Sequence, residues 1–474
     1  MQRTMRLILL AVVLFGTYDC VSLACDSTDS QIFRNRMVPI LVEKCIVCHG
    51  GESTEGSYSV SDTRKLFVGG ESGASPVSTL DPESSEILVR VTSLDSTLRM
   101  PLDAEPLSAS EIDDMRRWLL SGAKVDDNQQ PVSLVEIYGQ TKASARAPLF
   151  YPKPIPISSL LLSQDGRLLL VGGYSEILIW NIEHQSLDFR LPTRGRMVTD
   201  IKWAAGGKLV VASGAPGKFG VLEAIDFATR KPIAAFGFSR DVCSNLSPSP
   251  YRNEIAAGFA DGSVTIFSLE AYRPRVASVA HALGVTSVEW SSKNDRIFSA
   301  SLDRTAKSFQ TTDGQVLSAY PDHERAVGSV LHTQFGPVTL DETGTLRLWS
   351  DGEDVRSIAK LEGFPQSVQR IVATNGVIHV AGKDRIRRLT IVQDEIDDDK
   401  AKDKDKADQQ KPKKKKKRTS FKELESLRSI PDQSILSVTT NANGFVAAGL
   451  DSGRVIVWHP GESTNLWKTW VSQP

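Results

Sequence analysis

Cysteine is scarce in this 474-residue chain. Cys20 and Cys25 sit near the N-terminus, Cys45 and Cys48 share one motif, and Cys243 stands alone. Five cysteines so placed exclude a disulfide framework. An excess of one charge is lacking too: 56 Lys and Arg meet 57 Asp and Glu, a formal net charge of −1, so no global field favours nucleic acid or a membrane surface. Histidine is nearly missing from the first third, where His49 is the only one before residue 184. No Ser-His-Asp set, phosphate-cradling Gly loop or metal-binding carboxylate cluster stands out in the chain. Long apolar runs are also absent near the N-terminus: Leu7 to Phe15 gives nine apolar residues, too few to cross a bilayer as a helix.

That short run has a use. Arg3 and Arg6 precede it, and a polar stretch ending Ser22-Leu23-Ala24 follows, which is the order and size of a secretory signal over residues 1–24. Export to the periplasm or cell envelope is the expectation. Cleavage before Cys25 would leave that thiol at the mature end, where lipid attachment and a free cysteine are both open readings. The length calls for two or more domains.

The motif Cys45-Ile46-Val47-Cys48-His49 has the spacing of a c-type haem attachment site, two thiols for the two vinyl groups with His49 placed beneath the iron. A disulfide, a thioredoxin-like redox pair or half a zinc site compete with it. The redox pair wants a βαβ context and the zinc site a second Cys or His pair, and neither is nearby. Three methionines could supply a sixth ligand. Met115 repeats with Ile112, Trp118 and Leu119 at helical spacing, and Met37 shares a face with Phe33, Ile40 and Leu41, so both read as core. Met100 lies in the irregular stretch Leu98-Arg99-Met100-Pro101-Leu102, held extended by its proline, and is the expected ligand opposite His49. Ser108 with Glu111 forms a capping box for a helix through Leu120, stopped by Gly122. Asp81-Pro82 reads as N-cap and first-turn proline of an earlier helix.

On these residues the segment 31–124 resembles the planctomycete-type cytochrome c domain. The likeness rests on Pro39-Ile40-Leu41, the Cys45 to His49 motif, Gly69-Gly70 and Gly73, Met100-Pro101, and Trp118 through Gly122-Ala123. Leu102 departs from the family's frequent Met-Pro-Pro. The resemblance implies a small all-α, class I-like cytochrome c domain with one covalently bound haem c, held by Cys45 and Cys48 with His49 and Met100 as axial iron ligands.

After residue 150 the composition changes to short Val, Ile and Leu runs broken by Gly, Asp, Asn and Ser. Strands ending in a bulky residue recur at Trp180, Ile225, Phe267, Phe309, Trp349, Leu389 and Trp458, separated by 45, 42, 42, 40, 40 and 69 residues. A period of roughly 40 to 45 is that of a four-stranded propeller blade. The long last interval contains Asp394 to Arg418, 25 residues of which 19 are charged, expected as a disordered insertion. Its Lys413 to Arg418 run is a solvated loop or a docking point for anionic lipid or an acidic partner. The units resemble WD40 repeats, with Asp261, Asp303 and Asp451 as turn acids bracing the blades. Leu466 to Val471 and Ser133 to Tyr138 compete as the strand that closes the ring.

The expected architecture is multi-domain: signal 1–24, cytochrome c domain 31–124, linker 125–149, and an all-β, seven-bladed WD40-like propeller 150–474. The leading functional expectation is electron transfer, with the propeller as a docking platform for proteins, including redox partners, and no nucleic-acid partner. An oxidoreductase with a second site in the propeller and a haem-bearing scaffold or sensor stand as alternatives. The propeller histidines His184, His281, His323, His332, His379 and His459 share no motif, which favours a carrier and scaffold over an enzyme. Cys243 reads as a small buried apolar residue.

Overall fold

The computed structural model describes residues 31–50, 55–125, 131–142, 147–321, 323–351, 355–364, 370–382, 385–397, 415–429, 432–460 and 467–471. The leader, Cys25 and the middle of the charged insertion lie outside these residues. The chain divides into two compact units, Met1–Leu134 and Val135–Pro474: a small helical segment, then a β-propeller.

In the first unit residues 31–49 form one helical run of alternating α and π turns, α1, which carries Phe33, Met37 and Leu41 into the core. Glu86–Thr92 (α2) and Ala109–Leu120 (α3) complete it. The capping box forms as expected: the Ser108 hydroxyl accepts from the Glu111 N–H at 3.3 Å, and the Glu111 carboxylate accepts from the Ser108 N–H at 2.7 Å. Gly122, at φ +92°, follows the helix end in the left-handed region that a glycine enters without a Cβ penalty. Trp118 is fully buried, stacks on Phe33 at 5.7 Å and donates its indole N–H to the Lys124 carbonyl at 2.9 Å. Met37 and Met115 are completely buried with it. One boundary differs. Asp81-Pro82 opens a separate 3₁₀ turn, Pro82–Ser84, and α2 begins after Ser85, whose hydroxyl is engaged with the backbone of Ser78.

The second unit begins with a helix where a linker was expected. Leu134–Lys142 (α4) carries Ile137 and Tyr138 as buried residues, with Tyr138 edge-on to Phe219 at 6.1 Å. Six antiparallel sheets follow among the described residues. Five are four-stranded, over residues 243–279, 285–320, 327–361, 371–428 and 435–471; the first, over 160–239, has seven strands. The expectation of seven separate blades is therefore corrected to five blades and one larger sheet. The cause is the 19-residue strand Ser186–Ala204, whose first half pairs with Tyr174–Asn181 and whose second half pairs with Lys208–Ala215, so two repeats share one ladder without a break.

Closure of the ring is resolved by packing. Trp467–Val471 pairs as the outer strand of the last sheet, while Ser133 to Tyr138 adds no strand. The Ile157 N–H donates to Leu450 O at 3.1 Å, Ser437 Oγ donates to Ile157 O at 2.7 Å, and Leu160, Leu169 and Val171 share a core with Ala447, Val455 and Val457. The charged insertion is partly corrected too. Its ends belong to a long hairpin of Arg385–Asp397 with Lys415–Arg428, in which Asp394 and Glu395 face Arg418 and Lys417. The segment is acidic at one end and basic at the other, and opposite charges directly across an antiparallel pair are mutually stabilising. The central residues 398–414 are outside the described part.

Candidate functional site

The first unit holds a cavity of about 390 Å³ lined by Cys45, His49 and Met100 together with Tyr58, Gly70 and Arg90. This volume lies in the range of sites that enclose a small organic group, about 300–1,000 Å³. α1 brings Cys45 and His49 to it on its last turns. Met100 comes from the chain after α2, and its N–H is tied to the Arg90 carbonyl at 3.0 Å. Cys48 is exposed and is not among the lining residues, so one thiol of the motif faces the cavity and the other the outside.

His49 is oriented by the backbone. Its Nδ1 lies 3.2 Å from the Tyr58 carbonyl oxygen, which can only accept, so Nδ1 carries the proton and Nε2 keeps its lone pair. A backbone carbonyl on one imidazole nitrogen, fixing the tautomer for ligation by the other, is the usual support of a metal-binding histidine. His49 O in turn accepts from Val60 N at 2.7 Å. These two bonds clamp the motif to the segment 58–60.

Cys45 and Cys48 are both free thiols. Burial, with the neighbouring Cys48, pushes the Cys45 thiol up to about 12. A reactive redox thiol needs surroundings that favour the thiolate instead, and those of Cys45 do not. Among the described residues no group of three or more His, Cys, Asp and Glu is placed to hold a metal ion, which leaves the half-zinc-site reading without its second pair. Met37 and Met115, wholly buried, do not line the cavity.

Three contributors, Tyr58, Arg90 and Glu86, were not singled out in the sequence. The Tyr58 carbonyl is a backbone group and leaves no residue signature. Arg90 and Glu86 pair at 2.8 Å on one face of α2, at the i,i+4 spacing, and both line the cavity. Gly70 lets two chain segments meet, since a Cβ there would lie 2.4 Å from the Gly56 oxygen. The Gly-rich stretch already pointed to it.

In the propeller, two histidines of the scattered set are bracing groups. His281 Nδ1 meets Asp303 at 2.9 Å and its Nε2 meets Ser299 Oγ at 2.7 Å. His323 is placed likewise between Asp341 at 3.3 Å and Thr339 at 3.3 Å, and here the Trp349 indole N–H extends the chain by donating to Thr339 at 2.8 Å. Asp261 caps its own turn, accepting from Ser263 N, while Asp451 braces a more distant segment, accepting from Ser434 N. A second network joins the sheets near the axis. The inner strands carry β-bulges at Val198/Asp200, Cys243/Asn245, Val285/Ser287, Val327/Ser329 and Ile435/Ser437. The bulge frees polar side chains to bond the next inner strand: Asp200 accepts from Leu246 N at 2.8 Å, Asn245 from Val288 N at 2.9 Å and Ser329 from Ile371 N at 3.3 Å. Cys243 is fully buried.

These features place the chain in a recognisable class. Residues 45–103 match the family model of planctomycete cytochrome C, and residues 274–310 match that of the WD domain, G-beta repeat. A cytochrome C-like segment is thus joined to a WD40 β-propeller. TBC1 domain family member 31 of Pongo abelii is 30% identical over 139 residues, which cover 26% of this chain and 14% of that protein. A chain in a crystal structure of the mitotic checkpoint complex superposes with a TM-score of 0.50 at 13% identity, covering 67% of this chain and 96% of that one. That likeness shows the fold alone.

Proposed function

We propose that this protein is an exported electron carrier with one covalently attached haem c, and that its propeller is a docking platform for partner proteins, redox partners among them. The observation that carries the reading is the convergence of Cys45, His49 and Met100 on one cavity, with the Tyr58 carbonyl holding His49 in the tautomer that leaves Nε2 to ligate. Cys45, His49 and Met100 fit the group from the cavity wall, and Cys48, exposed on the neighbouring turn, would have to turn inward to join it. Cys45 and Cys48 would form the thioethers, His49 and Met100 would be the axial ligands, and Arg90 offers a cation at the cavity wall. Haem so ligated supplies one-electron exchange without an open iron position. Export follows from the leader-like residues 1–24, because c-type haem with its paired thiols suits the compartment that such a leader addresses. Anchoring through Cys25 is part of the same proposal, as one alternative for the mature end. Propeller loop faces recognise partners without supplying chemistry, and the hydrogen-bonded roles of His281 and His323 fit that division of labour.

Met100→Ala is the test of the carrier reading. It should abolish the sulfur-to-iron charge-transfer band of the oxidised protein and lower the midpoint potential, since a methionine ligand raises it. Met37→Ala should keep the band while costing about 2–5 kcal/mol of stability from a buried cavity. A band that survives Met100→Ala, or one lost on Met37→Ala instead, refutes the ligand assignment.

A further inference from the structure

The propeller axis holds a second cavity, of about 350 Å³, lined by the inner strands of the sheets. Its wall is polar and carries charges of both signs: Asp200 and Lys202, then Glu289, then Arg370. Asp200 is fully engaged, with Lys202 Nζ at 2.9 Å, Asn245 Nδ2 at 2.8 Å and the Leu246 N–H at 2.8 Å. Glu289 is not. Its carboxylate, partly exposed to the channel, takes one hydrogen bond, from Ser247 Oγ at 3.3 Å, against the several that a carboxylate can accept. Arg370 has no side-chain partner among the described residues, and the Ser159 hydroxyl, 2% exposed, is likewise unpaired on the same wall. A buried hydroxyl without a partner is unusual in a folded protein, and here it shares a wall with Glu289 and Arg370, partly exposed charged groups with hydrogen-bonding capacity left over, a set that a ligand would satisfy.

We propose that this channel binds a small amino carboxylic acid in its zwitterionic form, its ammonium group on Glu289 and its carboxylate on Arg370. The four charges on the wall cancel, so a simple anion or cation gains little from the field of the site as a whole. A ligand bearing both charges complements the under-satisfied groups separately. Glu289 lies on one inner strand and Arg370 immediately before another, Ile371–Thr374, with the inner strand of the 327–361 sheet between them, which sets the two ends of the ligand on different walls. Burial pushes the Glu289 carboxyl up to about 7, against the opposing pull of Lys202 and the Ser247 hydrogen bond. An ammonium group beside it would bring the carboxyl back down, which is the favourable coupling that binding needs. Ser159 and the neighbouring serine and threonine residues suit a ligand with a hydroxyl group.

Isothermal titration of the full chain with L-serine, 3-hydroxypropionate and ethanolamine separates the two charges, since the second compound lacks only the ammonium and the third only the carboxylate. L-serine should bind at least about tenfold more tightly than either, each lost charge-assisted pair being worth about 1.5–3 kcal/mol. Glu289→Gln should weaken L-serine and ethanolamine but leave 3-hydroxypropionate unchanged; Arg370→Gln should weaken L-serine and 3-hydroxypropionate but leave ethanolamine unchanged. Should either variant fail to fold, the order of the three compounds on the unaltered protein still decides. Equal affinities for all three, no binding of L-serine, or L-serine binding that survives both substitutions would overturn the proposal.

Discussion

Protein with both Cys45 and Cys48 replaced by serine, produced alongside c-haem maturation machinery, is expected to carry no covalent haem, where the unaltered chain carries one per molecule. The reason is geometric and chemical together. Cys45 ends one helical turn and Cys48 lies on the next, Ile46–His49, with His49 directly after it. Both thiols are free, and only sulfur can form the thioether; serine keeps the shape and the hydrogen-bonding but not the bond. Either single variant should retain at most one linkage. Cys243→Ser is the control: Cys243 is wholly buried in the propeller with its Sγ 3.4 Å from the Asn245 carbonyl, so haem attachment should be untouched. The measurement is haem remaining with the denatured polypeptide after electrophoresis, read by its peroxidase stain. Covalent haem persisting in the double variant would sink the assignment.

The legible parts of the chain were those in which one residue type has one physical use. Ser108 and Glu111 produced the capping box at the expected place because both side chains bond only local backbone. Met37 and Met115 were read as core from helical spacing alone, and Met100 was left by elimination; the cavity is lined by Met100 and by neither of the others. Features set by the relation of one strand to another were harder to read. Nothing in Ser186–Ala204 announces that the chain will stay extended for 19 residues and merge two repeats. In Asp394 to Arg418 the count of charged residues pointed to disorder, while their order, acids first and bases last, is what lets the ends pair. The bulge residues were within reach. Asp200, Asn245, Ser287 and Ser329 are separated by 45, 42 and 42 residues, the spacing of the strand ends Trp180, Ile225, Phe267 and Phe309. A search for polar as well as apolar repeats would have found them.

The other large effect is expected at Asp341, at the heart of the 327–361 blade. Asp341 is completely buried and accepts from Arg347 at 2.5 Å, from His323 at 3.3 Å, from the Thr343 and Thr345 N–H groups at 3.0 and 3.1 Å, and from the Thr343 hydroxyl. Burial alone would raise its carboxyl pKa. The hydrogen bonds from His323, Thr343 and Arg347 override that and hold it well below the usual carboxylate range. Trp349 donates to Thr339, which meets His323 Nε2, while His323 Nδ1 lies 3.3 Å from both the Asp341 carboxylate and Arg347 Nη1, so the chain ends on the carboxylate and its guanidinium partner. Asp341→Ala removes the terminal acceptor and leaves Arg347, 6% exposed, as an uncompensated buried charge. Breaking one side of such a pair costs about 3–5 kcal/mol, to be read as a lowered denaturant midpoint of the propeller. Trp349→Phe should cost much less for the hydrogen bond itself, about 1 kcal/mol, because the 285–320 blade already has Phe309 at that strand end and its His281 chain stops at Ser299. The pH dependence has a definite sign. A carboxyl whose folded pKa is depressed stabilises the protein above its unfolded value and loses that contribution as pH falls towards the folded one. The acid-unfolding curve of Asp341→Ala should therefore lie closest to that of the unaltered chain at the lowest pH, separate from it as pH rises towards about 4, and keep its full, constant separation above that. A parallel pair of curves would show that the carboxylate's charge has no part in holding the blade together.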